Sequence, residues 1–333
     1  MAMERLWSLT KTTNIYLHMI LSAVMFSSGA LAGTASGVEH SQKLDVLESP
    51  FPAVARHLIS PPSSGVVRTV GTGSASSSTD PIAPSNGRSG DEADQIFQAH
   101  ISDDGWRQVL SHYTSQTRDG LTVFDYAALK NSPKDRHALV DYINNLAQQK
   151  PSQFTPQNAM AYWANLYNAL TVKVVTDNYP IASILKIRSG LRAGPWRREL
   201  VKVEGQRLSL DNIEHDILRA QYDTPLVHYM LNCASVGCPN LKRTPWSGDT
   251  LDEDLASAAA NYINSHRGVH IEKQGLSISS LYKWYEKDFG DVDHVLSHLR
   301  QYADEDLRQS LKTRKKIIDY AYDWSLNAPH TGK

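Results

Sequence analysis

Apolar residues recur every three to four positions through "DDGWRQVLSHY" and "RHALVDYINNLAQQ", which predicts two amphipathic helices. Between them, Tyr126-Ala127-Ala128-Leu129 reads as a single helical turn. Thr155-Pro156 marks the next start, because Thr caps free amides and Pro is tolerated at the first helical position. From there "QNAMAYWANLYNALTVKVVTDNY" predicts a long helix that ends before Pro180, with Trp163, Leu166, Tyr167, Leu170 and Val174 as its core stripe. Asn165 and Asn168 fall together on a neighbouring stripe.

The period then changes. "ELVKVEGQRLSL" alternates apolar and polar residues around Glu204-Gly205 and predicts a β-hairpin. Ser209 opens a helix over "LDNIEHDILRAQY", with Leu210, Ile213 and Ile217 facing inward. "PLVHYMLN" has the β-branched and aromatic content of a buried strand, and it delivers the chain to Cys233. "VHIEKQGLSIS" is another strand segment, followed by the helix "LYKWYEKDF" closed by Gly290. "VDHVLSHLRQYA" is amphipathic and helical, and "KKIIDYAYDWSLN" reads as a last extended segment. Helices outnumber strands and do not alternate regularly with them. The expected class is α+β, a helix-rich single domain around a small, mostly antiparallel sheet.

Composition changes the picture at the N-terminal end. Arg5 and Lys11 precede an apolar stretch from Ile15 to Phe26, and small residues lead to Ala30-Leu31-Ala32, the three-part pattern of a secretory signal. Residues 1–32 are expected to be cleaved off, leaving the protein periplasmic or secreted without stable membrane insertion. With no cysteine near the cleavage point, lipid anchoring is excluded. Residues 33–93 are dominated by Ser, Gly, Thr, Pro and Ala and read as a disordered linker. Residues 94–333 form the expected globular domain. A formal net charge of -1 over 333 residues offers no cationic surface for nucleic acid, so none is expected as partner.

Five segments, "YWANLYNALTV", "LSLDNIEHDILR", "LNCASVGCPNL", "LYKWYEKDFG" and "YDWSLN", in this order, resemble the family catalogued as domain of unknown function 547. The resemblance spans residues 106–327. It implies an α+β domain, often on exported bacterial proteins and, in eukaryotic chains, joined to modules such as glutaredoxin-like ones. It also points toward a distant kinship with papain-like thiol folds. It attaches no reaction, so mechanism has to come from side chains.

Both cysteines of the chain lie in "LNCASVGCPNL", five positions apart. One reading is a Cys233–Cys238 disulfide, the default for a close pair in an oxidising compartment. A second makes Cys233 a working thiol, with Cys238 as a structural or resolving partner. The third, zinc held with His215 and His228, is the weakest, since no second cysteine pair follows. No metal or cofactor is expected.

A thiol acts as a nucleophile only as thiolate, which calls for a neighbouring histidine oriented by a carboxylate. His215 lies mid-helix beside Glu214, with Asp211 one turn earlier and Arg219 one turn later. These residues also read as an ordinary solvated, charge-paired helix face. Three further residues read as cleft residues: Ser235 as a small neighbour, Trp196 on a loop among arginines, and Asn168. His228 reads as a core or rim histidine.

Two functions follow. The first is a cysteine-dependent hydrolase or acyl transferase acting on an amide, ester or thioester. Cys233 is its nucleophile, His215 its base, Glu214 or Asp211 the orienter and Asn165 an oxyanion donor. The second is a non-catalytic module with a disulfide-pinned loop, in which Arg219 and the two asparagines recognise a peptide or small thiol-bearing ligand.

Overall fold

The computed structural model describes residues 102–190 and 192–329. The expected signal segment, the linker and the first residues of the expected domain lie outside the described residues. Among those described, no helix is long and apolar enough to cross a membrane.

Helix α1 (Asp104–Tyr113) packs on α3 (Pro133–Ala147), with Trp106 stacked on Tyr142 at 6.1 Å. Between them lie the hairpin β1 (Thr114–Gln116) and β2 (Thr122–Phe124) and the single helical turn α2 (Tyr126–Lys130). Helix α4 (Pro156–Asn178) is the axis of the domain. Thr155 caps it by accepting from the Asn158 amide, as Thr before Pro leads one to expect. The predicted stripe is buried, but so are the residues beside it, without a break from Ala159 to Val172. The helix is enclosed nearly all round, so its polar side chains need partners inside the protein.

Short ladders follow: β3 (Arg188–Ser189) with β4 (Arg192–Ala193), then the predicted hairpin β5 (Val201–Val203) and β6 (Gln206–Leu208) turning at Glu204-Gly205. Residues Asn212–Leu218 wind as a π-helix that runs into the α-helical turn α5 (Arg219–Gln221). Ser209 and Asn212 close its start reciprocally. The Asn212 amide donates to Ser209 Oγ at 3.2 Å, while Ser209 N and Oγ donate to Asn212 Oδ1.

One expectation fails here. "PLVHYMLN" is not a strand; Val227–Met230 is a buried helical turn, α6, because the residues pack all round rather than against one sheet face. Cys233 therefore follows a short helix and a coil segment. Helix α7 (Leu251–Ile263), the hairpin β7 (Val269–Ile271) and β8 (Leu276–Ser279), and two short turns, α8 (Leu281–Trp284) and α9 (Glu286–Phe289), come next. The predicted continuous helix over "LYKWYEKDF" is thus broken at Tyr285. Gly290 at φ +85° ends it, as expected of a residue without a Cβ. Helices α10 (Val292–Tyr302) and α11 (Glu305–Thr313) lead to β9 (Ile317–Ala321), which pairs with β8 in parallel. All other ladders among the described residues are antiparallel, and the class is α+β.

Two buried clusters result. One surrounds α4; the other joins α6, α7, β7, β8 and α10 around Tyr229, Tyr262 and Tyr282. The segment after β9 binds back across the cysteine loop. Val236 N donates to Ser325 O, Gly237 N to Asp323 O, and Asn327 N to Ala234 O. Asn327 also accepts from Tyr126 Oη and Phe124 N, tying the loop to the α4 side.

Candidate functional site

The π-helix, α5, α6, the cysteine loop, α8 and the segment after β9 enclose a cavity of about 460 Å³. A polar wall carries Asp211, Glu214, His215, Arg219 and His228, and an aromatic wall Trp196, Trp284, Tyr322 and Trp324. Cys233 and Cys238 also line the cavity.

The two sulfurs are joined as a disulfide, with Cα atoms 6.1 Å apart. Cys238 is buried and Cys233 half-buried, so the pair is unequal in access. Ala234, next to Cys233, adopts φ +61°, a left-handed conformation that costs a non-glycine residue about 1 kcal/mol. Its amide donates to Asn232 Oδ1 and its carbonyl accepts from Asn327 N, which hold it there. Beneath the loop lies Arg267, whose guanidinium donates to the carbonyls of Val236 and Cys238 and to Asn240 Oδ1. Ser235 Oγ and Tyr322 Oη each lie 3.0 Å from Cys233 Sγ and 3.0 Å from one another.

On the polar wall, the buried Glu214 carboxyl accepts from two phenols, Tyr167 and Tyr285. Arg219 presents Nε and Nη2 to the two oxygens of Asp288, at 2.5 and 2.9 Å, a two-pronged pair. Its Nη1 donates to His215 Nδ1 at 3.0 Å, and its guanidinium lies 4.8 Å over the Tyr285 ring. The other ring nitrogen of His215, Nε2, is 3.9 Å from Asp211 Oδ1, while Asp211 also pairs with Arg197 at 3.2 Å. Burial raises the Asp211 carboxyl above its ordinary value, against the opposing pull of His215 and Arg197.

The histidine with a close carboxylate is a different one. His228 Nε2 lies 2.7 Å from Asp288 Oδ2, and its ring stacks 4.0 Å from Tyr285. Burial would raise the Asp288 carboxyl, but the bonds from His228 and Arg219 outweigh it and hold it well below the usual range. Burial also pushes the His228 ring toward its neutral form, and the Asp288 bond opposes this without reversing it.

The expected site residues divide. Cys233, Cys238, Asp211, Glu214, His215, Arg219 and Trp196 share the cavity, and Ser235 touches the Cys233 sulfur. Trp196 leans over Gly194, where a Cβ would overlap its ring, and its carbonyl accepts from the Asp211 amide. Asn165 and Asn168 stand elsewhere. Asn165 exchanges both bonds with the Trp246 backbone; Asn168 donates to Met230 O and accepts from Asn232 N. They clamp the segments that flank the cysteine loop. His228, read from sequence as a core or rim histidine, is buried, but its pairing with Asp288 was not foreseen. Sequence reading also missed Asp288, Tyr285, Tyr322 and Arg267 as cavity residues, because no local pattern pointed to the cavity.

Fold and site define an α+β domain with a ligand-sized cleft built over a disulfide loop. Residues 151–263 match the family model described as "Protein of unknown function, DUF547". The match takes in α4, the π-helix and the cysteine loop, and stops before Asp288 and Tyr322. No curated protein and no solved structure matches the chain.

Proposed function

We propose that the cleft is a thiol site for acyl chemistry, with Cys233 as the working sulfur, Cys238 as its resolving partner and the disulfide as the resting form. The carrying observation is that Cys233, the more accessible of the two cysteines, lines one cavity with an oriented histidine and a group of aromatic rings. After reduction, the Cys233 thiolate attacks an amide, ester or thioester carbon. A C–S bond forms, the carbonyl electron pair moves to oxygen, and collapse breaks the bond to the leaving group.

The proton given up by the thiol returns to that leaving group by way of an imidazole. His215 enters the cavity as expected, but its Nδ1 is committed to Arg219. His228 has the orienting carboxylate, Asp288, on Nε2, and its second nitrogen carries the proton in this reading. Asn165 takes no part, since both ends of its amide are engaged with Trp246. The aromatic wall favours a peptide or small molecule with an apolar group beside the scissile bond. The N-terminal pattern supports an exported protein, in which oxidation holds the pair closed until a reductant opens it.

To test this, the dithiol-reduced protein is incubated with activated esters, thioesters and short peptide amides, and adducts are mapped by mass spectrometry. Acyl transfer to Cys233 is expected, absent in Cys233→Ser and in the oxidised protein, with turnover slowed in His228→Ala. If reduced Cys233 takes no acyl group from any of them, the enzymatic reading fails. The closed disulfide favours the second reading, a pinned loop that only binds, and ligand retention by the oxidised protein in that same experiment supports it.

A further inference from the structure

We infer that Tyr322 and Ser235 are the groups that ionise and direct the Cys233 thiol, through a closed triangle of hydroxyl and sulfur atoms at 3.0 Å on every side. This rests on the reading of Cys233 as the working sulfur: the two hydroxyls stabilise the thiolate, and the proton it gives up passes to the imidazole of that reading. A dithiol reductant donates two electrons to the disulfide and leaves as its own cyclic disulfide, so Cys233 is left as thiol or thiolate. Each hydroxyl has one proton to give. Beside a neutral thiol, the three protons can close a ring of three weak, uncharged bonds; beside a thiolate, both hydroxyls turn to the sulfur. Ionisation therefore exchanges that ring for two stronger, charge-assisted bonds to the sulfur.

The surroundings hold this geometry. The Tyr322 ring packs against Trp284 at 4.8 Å and Trp324 at 4.7 Å, and it lies where a Cβ on Gly237 would collide with it. Ser235 is fully buried, with its backbone bridged to Leu326. Burial raises the Tyr322 phenol well above its ordinary range, so it stays a proton donor at every working pH.

The charged groups facing the sulfur do not supply the effect by themselves. His215 Nδ1 is held by Arg219, and burial favours neutral His228. Arg219 is matched by Asp288, and Asp211 by Arg197. Glu214 opposes a second negative charge. Arg267, bonded to loop carbonyls behind the sulfurs, favours one, and among the described residues it has no carboxylate in ion-pair contact. The two hydroxyls are the donors in direct contact with the sulfur of Cys233.

The test isolates one thiol with Cys238→Ser and follows its ionisation by thiolate absorbance and by the pH dependence of iodoacetamide alkylation, with the adduct mapped to Cys233. The midpoint is expected below the ordinary thiol value of about 8.5. Adding Tyr322→Phe, which keeps the packed ring, is expected to raise it by about one pH unit and slow alkylation at pH 7 about tenfold. Ser235→Ala is expected to act in the same direction, and His215→Ala to leave the midpoint in place. A low midpoint that neither Tyr322→Phe nor Ser235→Ala moves overturns this inference and leaves the thiol-site reading standing. An ordinary midpoint in the parent Cys238→Ser protein overturns both. Near-ultraviolet circular dichroism confirms that each variant is folded.

Discussion

Helix α4 and the π-helical segment both carry polar side chains into the interior, and they use them in opposite ways. On α4, Asn165 and Asn168 each bond one backbone N–H and one C=O of a later segment and hold that segment in place. On the π-helix, Glu214 and His215 face a cavity together with Arg219 just beyond it, and their partners are other side chains. Amides match the paired donor and acceptor of a peptide group and serve as clamps. The ionisable groups of the π-helix are bonded instead to phenols and arginine, side chain to side chain, at the edge of a cavity.

The comparison can be broken at three points. Asn168→Leu leaves Met230 O and Asn232 N unpaired in the interior, and a loss of about 3 kcal/mol is expected in urea unfolding, with the oxidised protein's disulfide still formed. A loss under about 1 kcal/mol shows that the clamp is not structural.

Arg219→Met separates the second region. Its pair with Asp288 is about one-fifth exposed on each side, so about 2 kcal/mol is expected at pH 7, below the figure for a fully buried pair. Asp288 titrates lower in the folded state than in the unfolded chain. Its contribution is therefore complete above the ordinary carboxylate value of about 4 and fades as the pH falls below it. Urea unfolding at pH 7 and pH 3 checks this: the gap between wild type and variant narrows at pH 3, and a gap that widens contradicts the assignment.

The smallest effect is expected at Thr155→Ala, which removes the cap of α4 at about 1 kcal/mol. Thermal unfolding reads it, and the alkylation rate of reduced Cys233 is expected to stay unchanged.

What could be read along the chain was local. The α4 boundaries followed from Thr155 and the coming Pro180, the turn of β5 and β6 from Glu204-Gly205, and the cap of the π-helix from Ser209. The closeness of the two cysteines came from spacing alone. "PLVHYMLN" was misread because a fully enclosed helical turn and a buried strand share the same apolar composition, and four residues are too few for a period to separate them. His228 was read as a core or rim histidine and is buried, but its pairing with Asp288 depends on what packs around α6.

Sequence by itself determined the α+β class, the main helices and hairpins, and the group of Asp211, Glu214, His215 and Arg219, because residues one turn apart necessarily share a neighbourhood. Only the tertiary structure decided which of these groups keep free chemistry. Tyr322 reaches the Cys233 sulfur across 89 positions, and Asp288 reaches His228 across 60. Such meetings depend on how packed elements fall together, for which a one-dimensional pattern has no period.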